Sequence, residues 1–175
     1  KMGILCSSSP AASRLQGHPV SNFQKDLASG HLKVARFKGN KTIQTLVLSS
    51  IGIGSEGLTT LASVIADSPA MTEVRLDGNP ITGSKYKSGV KRIGVEEYDC
   101  DMSGIVALLQ AMKSSAISKL SISDCGIGPK GLMTSAPLIP VIPALSEVNL
   151  ETNPAITAAE IEDLQKSHPN IRFTT

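Results

Sequence analysis

Tryptophan is absent from this chain of 175 residues, and aromatic residues of all kinds reach only 3%. A core with so few large rings must be assembled from Leu, Ile, Val and Ala, whose small aliphatic side chains suit repetitive, layered packing. Charge of one sign is missing too: 17 Lys and Arg against 15 Asp and Glu leave a net +2. That balance lacks the basic field that draws nucleic acid, and no nucleic-acid partner is expected. The three cysteines, Cys6, Cys100 and Cys125, are an odd number with no C-x-x-C and no histidine at metal spacing. Neither a disulfide framework nor a metal site follows from them, and a reduced, cytoplasmic setting is expected. No apolar run approaches the roughly 20 residues a membrane-spanning helix needs. The length suits one domain with a sizeable core and is short for separate cofactor and substrate domains.

The most arresting stretch is GIGSEG at 52–57, which follows TLVLSSI and precedes LTTLASVIA. G-x-G-x-x-G between a strand and a helix is the pattern of a dinucleotide-binding turn, and Asp77 lies 20 residues beyond Gly57, where such a fold places an acid for a ribose hydroxyl. Self-similarity argues otherwise. Residues 43–53 (IQTLVLSSIGI), 71–81 (MTEVRLDGNPI), 117–127 (ISKLSISDCGI) and 145–156 (LSEVNLETNPAI, one residue longer) share one pattern, L-x-x-L-x-L-x-x-N/C-x-L. Its second apolar position falls at Leu46, Val74, Leu120 and Val148, so the spacings are 28, 46 and 28 residues: a period of 28 with one insertion of 18. Units one and three resemble each other, as do two and four, and the glycine pattern recurs at Gly126, Gly128 and Gly131. A dinucleotide site needs one such turn, whereas a repeat produces copies.

The strands argue the same way. In a doubly wound nucleotide fold both sheet faces are covered, so strands are apolar throughout. Here Leu46 and Leu48 oppose Thr45, Val47 and Ser49, and Val74 and Leu76 oppose Glu73, Arg75 and Asp77. Burying Glu73 and Arg75 under a helix would cost several kcal/mol each unless they were paired. One face must therefore be wet, and the glycines take a structural role in the turn that leaves each strand.

Between the strands, Leu58, Leu61, Ala62 and Ile65 follow helical spacing with Ser55 as the expected N-cap. Ile105, Leu108, Leu109 and Met112 do so in the second unit, capped by Asp101 or Ser103. In the fourth, Thr157 and Glu160 form a capping box and Ile156 staples onto Ile161. Pro137 and Pro140 predict a short helix or an irregular turn in the third, where Leu132, Ala136 and Ile139 keep the apolar places. The closing PNIRF, with Ile171 and Phe173, reads as a fifth, partial strand.

Over residues 43–173 this pattern resembles the ribonuclease-inhibitor-like class of leucine-rich repeat proteins. With four full units it is similar in size to the compact repeat domain of the tropomodulin family, a likeness of architecture that transfers no site. The resemblance implies a short α/β solenoid with parallel strands on a concave face and helices on a convex one.

In-register strands would stack the outward residues in rows: Thr45, Glu73, Lys119, Glu147; then Val47, Arg75, Ser121, Asn149; then Ser49, Asp77, Ser123, Glu151. Glu73, Lys119 and Glu147 alternate in sign and can satisfy one another, while Arg75, Asp77 and Glu151 have no partner within their rows. A polar surface of mixed sign fits protein recognition, and it contains no Cys or His for a nucleophile–base pair. The insertion at 82–99 is basic in its first half (Lys85, Lys87, Lys91, Arg92) and acidic in its second (Glu96, Glu97, Asp99). It reads either as a solvated hairpin or loop that pairs its own charges or as a partner-contacting protrusion anchored by Tyr86 and Tyr98. Cys125 takes the N/C position of its repeat and is expected to be buried and structural, whereas Cys100 fits a buried or a reactive role equally. His18, His31 and His168 read as surface or capping residues.

Residues 1–20 look like a tail and 21–41 like a cap closing the open end of a repeat domain at 42–175. MGILCS matches M-G-x-x-x-S, placing Gly3 for myristoylation and Cys6 for a second acyl chain. Lys1 blocks this unless Met2 is the true start, so a membrane association is expected only with that start. The function expected is a non-catalytic protein-interaction module with no cofactor. It would use Glu73, Arg75, Asp77, Lys119, Asn149 and Glu151 of the strand face, Tyr86, Lys87, Arg92 and Tyr98 of the insertion, or both. The alternatives are a structural subunit or acylated adaptor in a larger assembly and, more remotely, a nucleotide-binding enzyme.

Overall fold

The computed structural model describes residues 42–87 and 94–174. The expected tail and cap, Gly3, Cys6 and Arg92 lie outside the described residues.

Every unit opens with three residues of strand: β1 (Thr45–Val47), β2 (Glu73–Arg75), β5 (Lys119–Ser121), β6 (Glu147–Asn149) and β7 (Arg172–Thr174). They form one parallel sheet in the order β1-β2-β5-β6-β7, and the register pairs Leu46, Val74, Leu120, Val148 and Phe173 with their neighbours in turn. All five central residues are buried, whereas the residues on either side of them are half-buried or exposed. The alternation in the sequence thus becomes a sheet with one dry and one wet face. The ladder runs past the strand ends through Leu48 N–H to Arg75 O (2.9 Å), Leu76 N–H to Ser121 O (2.8 Å), Ile122 N–H to Asn149 O (3.0 Å) and Leu150 N–H to Thr174 O (2.8 Å).

The dry face packs against α1 (Ser55–Ala66), α2 (Ser103–Met112), α3 (Pro129–Ser135) and α4 (Ala158–Ser167), which line the convex side. Their apolar stripes, such as Leu58, Leu61 and Ile65 on α1 and Ile105, Leu108 and Leu109 on α2, are buried as the helical spacing predicts. In the third unit Pro129 stands in the first turn of α3, which has seven residues; of the expected apolar places Leu132 and Ile139 are buried and Ala136 half-buried, and Ile142 is buried beyond them. Thr157 and Glu160 make the capping box of α4, and Ile156 packs on the core that contains Ile161.

The expected cap of α1 is corrected. Gly54 is the N-cap and Ser55 the first helical residue, because Gly54 O already accepts the N–H of Leu58 (3.0 Å). The hydroxyl of Ser55 is buried against the next unit, accepting from Gly104 N (2.6 Å) and bonding Ser103 Oγ (2.9 Å). At α2 the N-cap is Met102, and the carboxylate of Asp101 accepts instead from the N–H and Oγ of Ser103 (3.0 and 2.7 Å). Those bonds hold the Asp101 carboxyl below the usual range.

Two buried amides lock the turns. Asn79 Oδ1 accepts from the N–H groups of Ile51, Gly52 and Ile53 (3.0, 2.9 and 3.0 Å), while Nδ2 donates to Leu48 O and Leu76 O. Asn153 repeats the device one pair of units later, accepting from Cys125 and Ile127 and donating to Ile122 O and Leu150 O. The alternation of units is therefore functional within the fold: the asparagine units clamp the glycine turns of the units before them. Cys125, fully buried at the equivalent position, points its thiol at Leu76 O and Ser123 O and is structural as expected.

Candidate interaction surfaces

The concave face and the insertion both carry side chains that project away from the repeat core. On the face, the observed register places Thr45, Glu73, Lys119 and Glu147 in one row, as expected, and adds Arg172 at its end. Lys119 does reach Glu147 (3.5 Å), but Arg172 reaches it more closely (2.8 Å). The Arg172 guanidinium, more than Lys119, holds the Glu147 carboxyl below the usual range.

Glu73 does not pair with Lys119 as the alternation of sign along the row suggests. It takes Arg75 Nε at 2.6 Å, two residues away on the same strand, and Thr45 Oγ1 at 3.3 Å. Arg75 therefore has a partner, though one outside its own row. So does Asp77, and here the expectation of no partner within the row is corrected: its carboxylate accepts from Ser123 N (3.0 Å) and Ser49 Oγ (3.4 Å) of its own row and from Ser121 Oγ off it. Residues i and i+2 share a strand face, and serines on flanking strands are within reach of an aspartate between them. Asn149 Oδ1 turns inward to the N–H of Glu151 (2.9 Å), leaving the exposed Glu151 side chain at the rim.

The insertion is a hairpin of β3 (Lys85–Tyr86) and β4 (Val95–Glu97), antiparallel and closed by a Lys85–Glu97 ion pair at 2.7 Å. That pair joins the basic half of the insertion to its acidic half: the pairing raises the Lys85 ammonium and lowers the Glu97 carboxyl from their ordinary values. Lys87 and Cys100 are exposed.

The base of the hairpin is fastened to the third unit by contacts the sequence did not announce. Asp99, buried and with φ of +56°, accepts the N–H of Gly128 on Oδ1 (3.0 Å) and of Gly131 on Oδ2 (2.7 Å). Ser84 Oγ accepts from Asp99 N (2.9 Å) and donates to Gly126 O (2.7 Å). A methyl group added at Gly131 would lie 2.6 Å from Asp99 Oδ1, one at Gly128 2.7 Å from Tyr98 Cβ, and one at Gly126 2.6 Å from Tyr86 Oη. The second G-x-G-x-x-G is thus filled by the chain's own carboxylate and flanked by both tyrosines. Burial against this turn pushes the Tyr86 hydroxyl up to about 12. Tyr86 and Tyr98 consequently hold the hairpin down on the solenoid. A signal for Asp99 was present in the sequence, in an acid at the end of the insertion and a second glycine turn at the start of a proline-led helix, but only the fold brings them together.

Comparison with known proteins matches a Leucine Rich repeat family model at residues 39–62 and 114–134, the two glycine-type units. The chain is a short leucine-rich repeat solenoid. Over 122 residues, 70% of its length, it is 27% identical to the Tonsoku-like protein of Mus musculus, and over 128 residues, 73%, it is 25% identical to that of Bos taurus. It spans about 8% of the length of each of these relatives. Among the described residues, no helix of this solenoid is long and apolar enough to cross a membrane.

Proposed function

We propose that this solenoid is a non-catalytic protein-binding module of the ribonuclease-inhibitor-like class, engaging a partner through its concave strand face, with the hairpin at 82–99 contributing from the rim. Repeats of about 28 residues with a helix in each full unit support the subclass. Leucine-rich repeat domains generally mediate protein–protein interaction, which supports the function. The observation that carries the proposal is the wet face itself: five strands in register display Glu73, Arg75, Lys119, Asn149 and Arg172 on a scaffold locked from behind by Asn79 and Asn153. Rigid presentation of polar side chains lowers the entropy lost on binding.

Affinity capture from lysate tests it with two variants. Glu73→Lys with Arg75→Glu keeps an ion pair of reversed polarity, so the fold persists while the displayed charge moves. Replacement of residues 88–93 by a short glycine-serine link leaves β3, β4 and the Asp99 contacts in place. Partners retained by the wild-type chain should be lost with the double exchange. Retention of every partner by both variants would remove the concave face and the hairpin from the function.

A further inference from the structure

The ion pairs of the concave face are not level with one another. The acids are recessed, with side chains only 22% (Glu73) and 24% (Glu147) exposed, whereas Arg75, Lys119 and Arg172 stand out at 51%, 55% and 67%. Three cations project over the two acids they pair with, so within these pairs the positive groups are outermost; Asp77 and the exposed Glu151 lie on the same face, in the row beyond Arg75. Among the described residues, the guanidinium of Arg75 bonds Glu73 through Nε and that of Arg172 bonds Glu147 through Nη2, so each arginine keeps further donors for a second acceptor.

We propose that this stripe binds an acidic peptide in extended conformation, laid across the strands with its carboxylates on Arg75, Lys119 and Arg172. The proposal rests on the reading of the concave face as a protein-binding surface and adds the chemistry of the partner. Arg75 is on β2, Lys119 on the adjacent β5 and Arg172 two strands further on β7. At ~4.8 Å between strands the stripe spans ~14 Å, and same-face residues of an extended chain recur every ~6.6 Å, so acids at alternate positions, i, i+2 and i+4, cover it. Asp77 keeps its charge but lies in the row beyond Arg75, where two serine hydroxyls and a backbone N–H occupy its oxygens and leave the guanidinium of Arg75 to the peptide. A nucleic acid fits less well. The face offers no aromatic platform for bases among its outward residues, and Glu73 and Glu147 lie directly beneath the cations.

Fluorescence anisotropy with labelled twelve-residue peptides tests the proposal: one with alternating Glu, one with alternating Lys, one with alternating Ser, and a single-stranded oligonucleotide as competitor. The acidic peptide should bind the full chain, with affinity falling as salt rises. Arg75→Gln, Lys119→Gln and Arg172→Gln together should weaken it at least about tenfold, since three ion pairs to the peptide are lost at once. Glu73→Gln with Glu147→Gln should tighten it several-fold, a change of sign that loss of folding cannot produce. Binding of the basic or the neutral peptide in place of the acidic one, sensitive to the triple change, would overturn the polarity while leaving the binding-module reading intact. Equal displacement by oligonucleotide, or no binding of the acidic peptide, would overturn the inference too, and the module reading would then stand or fall on the capture experiment alone.

Discussion

Asp99 accepts the backbone N–H of Gly131 at 2.7 Å across 32 residues of sequence, and this bond fixes where the insertion sits. With Gly128 N on its other oxygen, the carboxylate fills the start of α3 and satisfies donors the short helix cannot satisfy itself. Asp99→Ala should therefore cost about 2–4 kcal/mol, from two charge-assisted bonds left unmade in a buried site. Asp99→Asn, which tolerates the positive φ and keeps one acceptor, should cost about half as much. Urea denaturation measures both. Hydrogen exchange at 84–87 and 94–99 should rise well before that of the sheet.

The two glycine patterns should respond differently to the same substitution. A methyl group at Gly54 meets no described atom within 4 Å, and the backbone there is extended with φ of −95°, so Gly54→Ala should change stability by less than about 0.5 kcal/mol. Gly131→Ala drives into Asp99 Oδ1 and should cost about 1–3 kcal/mol. A nucleotide site at GIGSEG would reverse the contrast, making Gly54 the sensitive position in a ligand-binding measurement.

Asn79→Ala should be among the most damaging single changes. It removes a fully buried amide and orphans the N–H groups of Ile51, Gly52 and Ile53, of which that of Ile53 is buried, together with two carbonyls, for an expected loss of about 3 kcal/mol. Asn153→Ala should cost less, because only Cys125 and Ile127 donate to its carbonyl. Thermal melting of the two variants orders them.

Acid should loosen α4 from its N-terminus. The Glu160 carboxyl is held below the ordinary glutamate range, first by the Thr157 N–H (2.8 Å) and then by the Thr157 hydroxyl. A folded value below the unfolded one means that the contribution is complete above the ordinary carboxylate range and is lost as pH falls through the lower, folded value. Thr157→Ala should cost about 1 kcal/mol at neutral pH and raise the Glu160 midpoint in a carboxyl NMR titration. An unmoved midpoint would show that the hydroxyl contributes nothing to that titration.

Much of the fold was legible because its causes are local and repeated. Leu46, Val74, Leu120 and Val148 recur at fixed spacing, and a side chain that must be dry in one unit must be dry at the same place in the next. The register of the rows followed, as did the capping box at Thr157, whose partners lie three residues apart. The partner of Arg75 did not follow, since row logic considers neighbours across strands at one level, and the partners of Asp77 did not because pairing by opposite charge passes over serine hydroxyls and backbone N–H groups in its own row. Arg75 folds back along its own strand to Glu73, and Asp77 gathers serines from both sides. Ser55 departs from a capping role for a similar reason: a serine before an apolar stripe suggests a cap, but its hydroxyl accepts from Gly104, 49 residues away.

By itself the sequence determined the solenoid, its period and which face of each strand is wet, because burial obeys the alternation of side chains along the chain. Only the tertiary structure decided that the second glycine turn is occupied by Asp99, that Tyr86 and Tyr98 bind the hairpin down, and that cations stand above acids on the concave face. Those outcomes depend on distances between residues far apart in sequence and on side-chain reach, which a one-dimensional pattern does not contain.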